Sequence, residues 1–117
     1  MLKSFGFAAL LVGGAVAATA AVNTAVILTE ERMAHEEEGR ILLRPIAGVE
    51  NHFWYDYRAN VNEAQKELST DLRKAGDTED LRDAWDEYRG ELSHERSHYV
   101  KVMAKRGYRE PSVTLID

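Results

Sequence analysis

The sequence predicts an all-α protein: one N-terminal transmembrane helix, then a short helical segment, an antiparallel helical hairpin and an extended C-terminal tail. Three observations predict it. Residues 5–28 carry no charge. Apolar and small residues then recur at helical spacing over 49–75 and again over 78–106, with only Gly76 and Asp77 between the two runs. The expected organisation is an anchor over 1–28, an acidic helical domain over 29–107 with helices at about 29–43, 49–75 and 78–106, and a tail over 108–117.

The first element follows from length and polarity. Its 24 uncharged residues, at a helical rise of about 1.5 Å each, reach roughly 36 Å, enough to cross a hydrocarbon layer of about 30 Å. Only Thr19, Asn23 and Thr24 are polar; threonine hydroxyls bond back to the preceding turn, and Asn23 suits an interface or a neighbouring helix. Ala9, Gly13, Ala17, Ala21 and Ala25 recur every fourth residue. They align small side chains into a groove that a second membrane helix could approach closely. The same segment also fits a cleaved secretory signal, with Lys3 as its basic start and Ala18-Thr19-Ala20 as a small-x-small cleavage site. That alternative leaves a secreted helical adaptor. Lys3 on one side and Arg32, Arg40 and Arg44 on the other do not assign an orientation.

Thr29 to Leu43 is rich in helix formers, and Pro45 stops it. The next stripe is Val49, Phe53, Tyr57, Val61, Ala64, Leu68, Leu72 and Ala75, at steps of three and four. Gly76 is expected to end that helix in the left-handed conformation, and Asp77 or Thr78 to cap the next. The last helix carries Leu81, Trp85, Tyr88, Leu92, Tyr99 and Met103 on its stripe, with acidic residues at its start, basic residues at its end and Gly107 as its stop. Two long amphipathic helices joined by so short a turn pack antiparallel. Their mutual core is thin. Trp54, Tyr55 and Trp85 therefore stay partly exposed unless the segment before Pro45, or another protein, covers them. The tail holds Pro111 and Val113-Thr114-Leu115-Ile116 and reads as extended.

Composition excludes some functions. After residue 28 there are 14 Lys and Arg against 20 Asp and Glu, a net of −6, and the arginines are interleaved with carboxylates. A basic stripe for nucleic acid is absent. With no cysteine, neither disulfides nor thiolate metal sites are available.

His94-Glu95-Arg96-Ser97-His98 resembles the H-E-x-x-H motif of zincin metalloproteases over five residues. The resemblance implies His94 and His98 as zinc ligands and Glu95 as the base. Arg96 places a cation inside the motif, and only Glu110 and Asp117 follow as third ligands, both in the tail. The membrane-tethered zinc hydrolase is accordingly the alternative reading. Glu91-x-x-His94 and Glu95-x-x-His98 also have the spacing of ferritin-like dimetal sites, which draw such pairs from more helices than this chain supplies. Ion pairing offers a simpler use: Glu91 to Arg96, or Glu95 to an arginine of the facing helix. His35, beside Glu36, Glu37 and Glu38, belongs to an acidic face.

The aromatic run His52, Phe53, Trp54, Tyr55 and Tyr57, together with Trp85, is the expected partner-binding surface of the helical domain. Ala9, Gly13, Ala17 and Ala21 form that of the anchor. These features describe a non-catalytic, single-pass accessory subunit of a multi-subunit membrane complex, with larger membrane subunits and lipids as partners and no cofactor or small-molecule substrate. The expected setting is an energy-transducing membrane, mitochondrial inner or bacterial inner, with a respiratory or photosynthetic electron-transport complex as host.

Overall fold

The structure, a computed structural model, describes residues 27–109. Helix α1 spans Thr29–Glu38, a 3-10 turn spans Ile46–Gly48, α2 spans His52–Lys74 and α3 spans Thr78–Lys105. No strand occurs among the described residues.

This corrects the membrane-anchored fold and the integral single-pass localisation expected from the sequence. No helix among the described residues is long and apolar enough to cross a membrane. The reason lies in their sequences: α2 and α3 are long enough, but charged residues recur throughout both. The segment 5–28, with its stripe of Ala9, Gly13, Ala17 and Ala21, lies outside the described residues, as does the tail beyond Arg109. What stands, among the described residues, is an all-helical arrangement of three α-helices. The mitochondrial or bacterial inner membrane and the electron-transport setting are withdrawn with the span on which they rested.

Asn51 caps α2 by accepting a hydrogen bond from the amide of Trp54 at 3.1 Å. At the next junction the capping is reciprocal: Asp77 accepts from the Asp80 amide at 2.8 Å, and the Asp80 carboxylate accepts from the Gly76 amide at 3.0 Å. The turn is therefore made by two aspartates. Gly76 is not in the left-handed region, contrary to expectation, whereas Gly107 is, at φ 88°, with the Tyr108 amide reaching back to the Met103 carbonyl.

Pairings between elements fix the topology. Tyr57 meets Tyr99 and Asn60 meets Glu95, so α2 and α3 run antiparallel. Glu30 meets Arg82, His35 meets Trp85 and Glu38 meets Tyr88, so α1 lies parallel to the first half of α3. Helix α1 ends at Glu38, five residues short of expectation, where Gly39 begins an irregular connection. Two buried tyrosines pin that connection. The Tyr57 hydroxyl accepts from the Leu42 amide at 2.9 Å and the Tyr99 hydroxyl from the Ile46 amide at 3.0 Å, while the two rings stack at 5.0 Å. Backbone donors that would otherwise be unsatisfied in a buried crossover are satisfied by the hairpin itself.

The core contains Ile46, Trp54, Tyr57, Val61, Tyr88, Leu92, Tyr99 and Met103. On the hairpin it is the middle of the two stripes read from the sequence, with Trp54 and Arg96 added, and Ala34 of α1 and Ile46 of the connection close over it. Trp54 joins it because α1 and the connection cover the side of the hairpin it faces. Arg96, which fills the gap between Leu92 and Tyr99 on the stripe of α3, is buried and paired with Glu37 of α1.

Candidate functional site

The aromatic run divides once it is helical. Trp54 and Tyr57 are in the core, Phe53 is half-buried beneath the Arg106 guanidinium, and Trp85 is half-buried with the His35 ring edge-on at 5.1 Å. Only His52 and Tyr55 face outward. The expected aromatic partner surface is thus mostly the packing surface between the hairpin and the segment that precedes it. One helical turn separates Phe53 from Tyr57, and α1 plus the connection decide which neighbours are covered.

The zincin-like segment is likewise dispersed around its helix. His94 and His98 are exposed, with rings 17° from parallel and centroids 6.5 Å apart. Glu95 points toward α2, where its carboxylate accepts from the Asn60 amide nitrogen at 2.9 Å. Arg96 points the opposite way, into the core, donating from Nε and Nη2 to one Glu37 oxygen at 3.1 and 2.9 Å. Glu95 lines the same furrow as His94 but is engaged by Asn60, and the cation within the motif serves the fold. Neither ion pair expected for this stretch forms: Arg96 takes Glu37 in place of Glu91, and Glu95 takes an asparagine in place of an arginine.

One face of the hairpin is covered by α1 and the connection, and an open furrow runs between α2 and α3. Its volume is about 440 Å³. Its two small residues are the buried Ala64 and the exposed Gly90, and Glu63 and Glu67 from α2 oppose Glu87, Glu91 and Glu95 from α3, with Asn60 and His94 at one end. A second hollow of about 300 Å³ shares Glu87 and is lined by Asp71, Asp80 and Asp83 among others. The acidic character reaches a maximum where oxygens of Glu67, Glu87 and Glu91 all lie within 4.8 Å of one another. Burial pushes the Glu91 carboxyl above the ordinary glutamate range, and the charges of Glu67 and Glu87 push it further in the same direction.

Sequence reasoning missed this furrow. Its walls were legible as acidic residues at i, i+4 spacing, Glu63 and Glu67 on one helix and Glu87 and Glu91 on the other. What was not legible was which flank of the hairpin α1 would cover. Comparison with protein-family models, curated proteins and solved structures finds no match.

Proposed function

We propose that the chain is a non-catalytic accessory subunit whose helical domain docks a basic, Lys/Arg-rich helical segment of a larger partner in the furrow between α2 and α3. The observation that carries this reading is Gly90. A glycine inside a 28-residue helix costs about 1 kcal/mol relative to alanine, and no atom comes within 4 Å of where its Cβ would stand. The isolated domain gains nothing from glycine there. A helix laid across the furrow does, because the absence of a side chain at Gly90, facing Ala64, lets backbones approach closely.

Charge complementarity selects the occupant. Carboxylates from both walls repel one another across the open groove, and lysines or arginines entering it relieve that repulsion while steering the encounter. Titrating the full chain into a fluorescently labelled Lys-rich helical peptide tests the proposal by anisotropy. Binding is expected to weaken strongly on Glu67→Lys or Glu91→Lys and with added salt, and to persist on Glu36→Lys, which alters an exposed carboxylate of α1. Equal weakening by all three substitutions would overturn the proposal, since it would reflect net charge alone.

A further inference from the structure

We infer that His94 and His98 form a bidentate imidazole site for a divalent transition metal of the copper, nickel and zinc class on the solvent face of α3. Three observations carry it. The residues are one turn apart on a helix held by α2 on one side and by α1 and the connection on another, so their Cα positions are fixed before any ligand arrives. Both side chains are exposed, with nearly parallel rings and centroids 6.5 Å apart. No hydrogen bond ties either ring to another described residue, which leaves the ring nitrogens available.

A metal at about 2.0–2.1 Å from one nitrogen of each ring needs the centroids ~5 Å apart and the rings tilted toward it, a closure of more than ~1 Å from the 6.5 Å seen. Exposed histidines reach that distance by turning about their own side-chain bonds. Imidazole suits the later first-row divalent ions, and two such donors leave the other coordination positions to water or to a side chain of a bound partner. Glu91 lies one turn before His94 on the same flank, so the acidic furrow supplies a negative field at one end of the pair. Glu95 takes no part, being held by Asn60. The site is therefore a chelating pair and carries no hydrolytic base.

The other two of the four histidines provide internal controls. His35 is engaged by Glu31 and Glu38, and the His52 ring packs on Phe53 at 4.0 Å. Zinc chloride titrated into the full chain, followed through the imidazole Cε1–H resonances, is expected to shift His94 and His98 together and to saturate at one equivalent. His94→Gln and His98→Gln should each weaken binding by about tenfold or more, because each removes the second, pre-positioned donor. Glu95→Gln should leave the affinity unchanged. The inference is overturned if zinc moves His52 as readily as the pair, or if either single variant binds as tightly as the parent. The readout on the parent chain needs no substitution, and it is independent of peptide binding, so failure here leaves the docking proposal standing and the reverse holds equally.

Discussion

Oε2 of Glu37 accepts hydrogen bonds from both Nε and Nη2 of Arg96, at 3.1 and 2.9 Å, and the two residues are only 6% and 5% exposed. Fifty-nine residues of sequence separate them. Arg40 supplies a second cation to the other carboxylate oxygen at 3.2 Å. Among the described residues this is the charged pair buried in the core, and it ties α1 to the hairpin. Removing Arg96 leaves the buried Glu37 carboxylate with the half-exposed Arg40 as its remaining cation, so the cost lies at the lower end of the about 3–5 kcal/mol expected for a broken buried pair. Arg96→Met is expected to lower the urea unfolding free energy by that amount. Glu37→Leu combined with Arg96→Met should recover much of the loss, a non-additivity that a double-mutant cycle measures directly.

The hydroxyls of Tyr57 and Tyr99 give a second, smaller prediction. Each satisfies a backbone amide of the connection, Leu42 and Ile46 respectively. Phenylalanine keeps the stacked ring and strands the amide, for a loss of about 1–3 kcal/mol. Tyr99→Phe should cost more than Tyr57→Phe, because the Ile46 contact is the more deeply buried of the two. Hydrogen exchange at the Ile46 amide should accelerate in the first variant and much less in the second.

How far the sequence carries is clear from these contacts. The hairpin was legible because Val61, Ala64, Leu92 and Met103 obey a period that a single helix imposes, and the spans expected at 49–75 and 78–106 differ from His52–Lys74 and Thr78–Lys105 by no more than three residues at any end. The position of α1 was not. Its direction depends on Tyr57 and Tyr99 capturing the connection, and on Arg96 drawing Glu37 inward, relationships between residues too far apart for periodicity to register. One signal was available: Arg96 sits in the apolar register between Leu92 and Tyr99, and a cation there requires a buried anion from another element. The membrane reading failed differently. It rested on residues 5–28, and it was extended to a whole assembly on the strength of aromatic side chains that α1 and the connection turn out to cover.

His35 makes stability depend on pH. One ring nitrogen lies 2.9 Å from Glu38 and the other 3.4 Å from Glu31, an arrangement that only the imidazolium satisfies with two donors. The hydrogen bond donated to Glu38, and after it the one to Glu31, raises the ring above its ordinary value of 6.5, against a smaller opposing effect of burial. A raised folded value means that the folded state holds the proton more tightly. The stabilisation is therefore complete below pH 6.5 and is lost as pH rises through the folded value. His35→Gln should flatten the dependence of the urea midpoint on pH in that window, and a chemical-shift titration of the parent should place the folded value above the unfolded one.

Glu91 lowers stability in the same direction of pH for a different reason. Burial and the neighbouring carboxylates raise its folded value above the ordinary 4.5, so ionising it in the folded state carries a penalty that grows as pH rises through that range. Glu91→Gln removes the penalty. The variant should be more stable than the parent at neutral pH, more so at low salt, and should converge with it below pH 4.5. Chemical denaturation across pH and ionic strength checks each clause.

Gly90 separates stability from docking. Alanine at this position meets no atom within 4 Å and removes a helix-interior glycine, so Gly90→Ala should stabilise the free domain by about 0.5–1 kcal/mol. A larger side chain is accommodated as easily in the free chain, because the furrow is open to solvent. Gly90→Leu should therefore fold at least as stably as the parent and yet bind the Lys-rich helical peptide markedly more weakly, since its side chain fills the open space that helix would enter. Stability measured by urea and affinity measured by anisotropy then move in opposite directions in one variant, which neither a general loss of structure nor a change of net charge produces. If Gly90→Leu binds the peptide as tightly as the parent, the helix does not lie against Gly90 and the glycine has no role in docking.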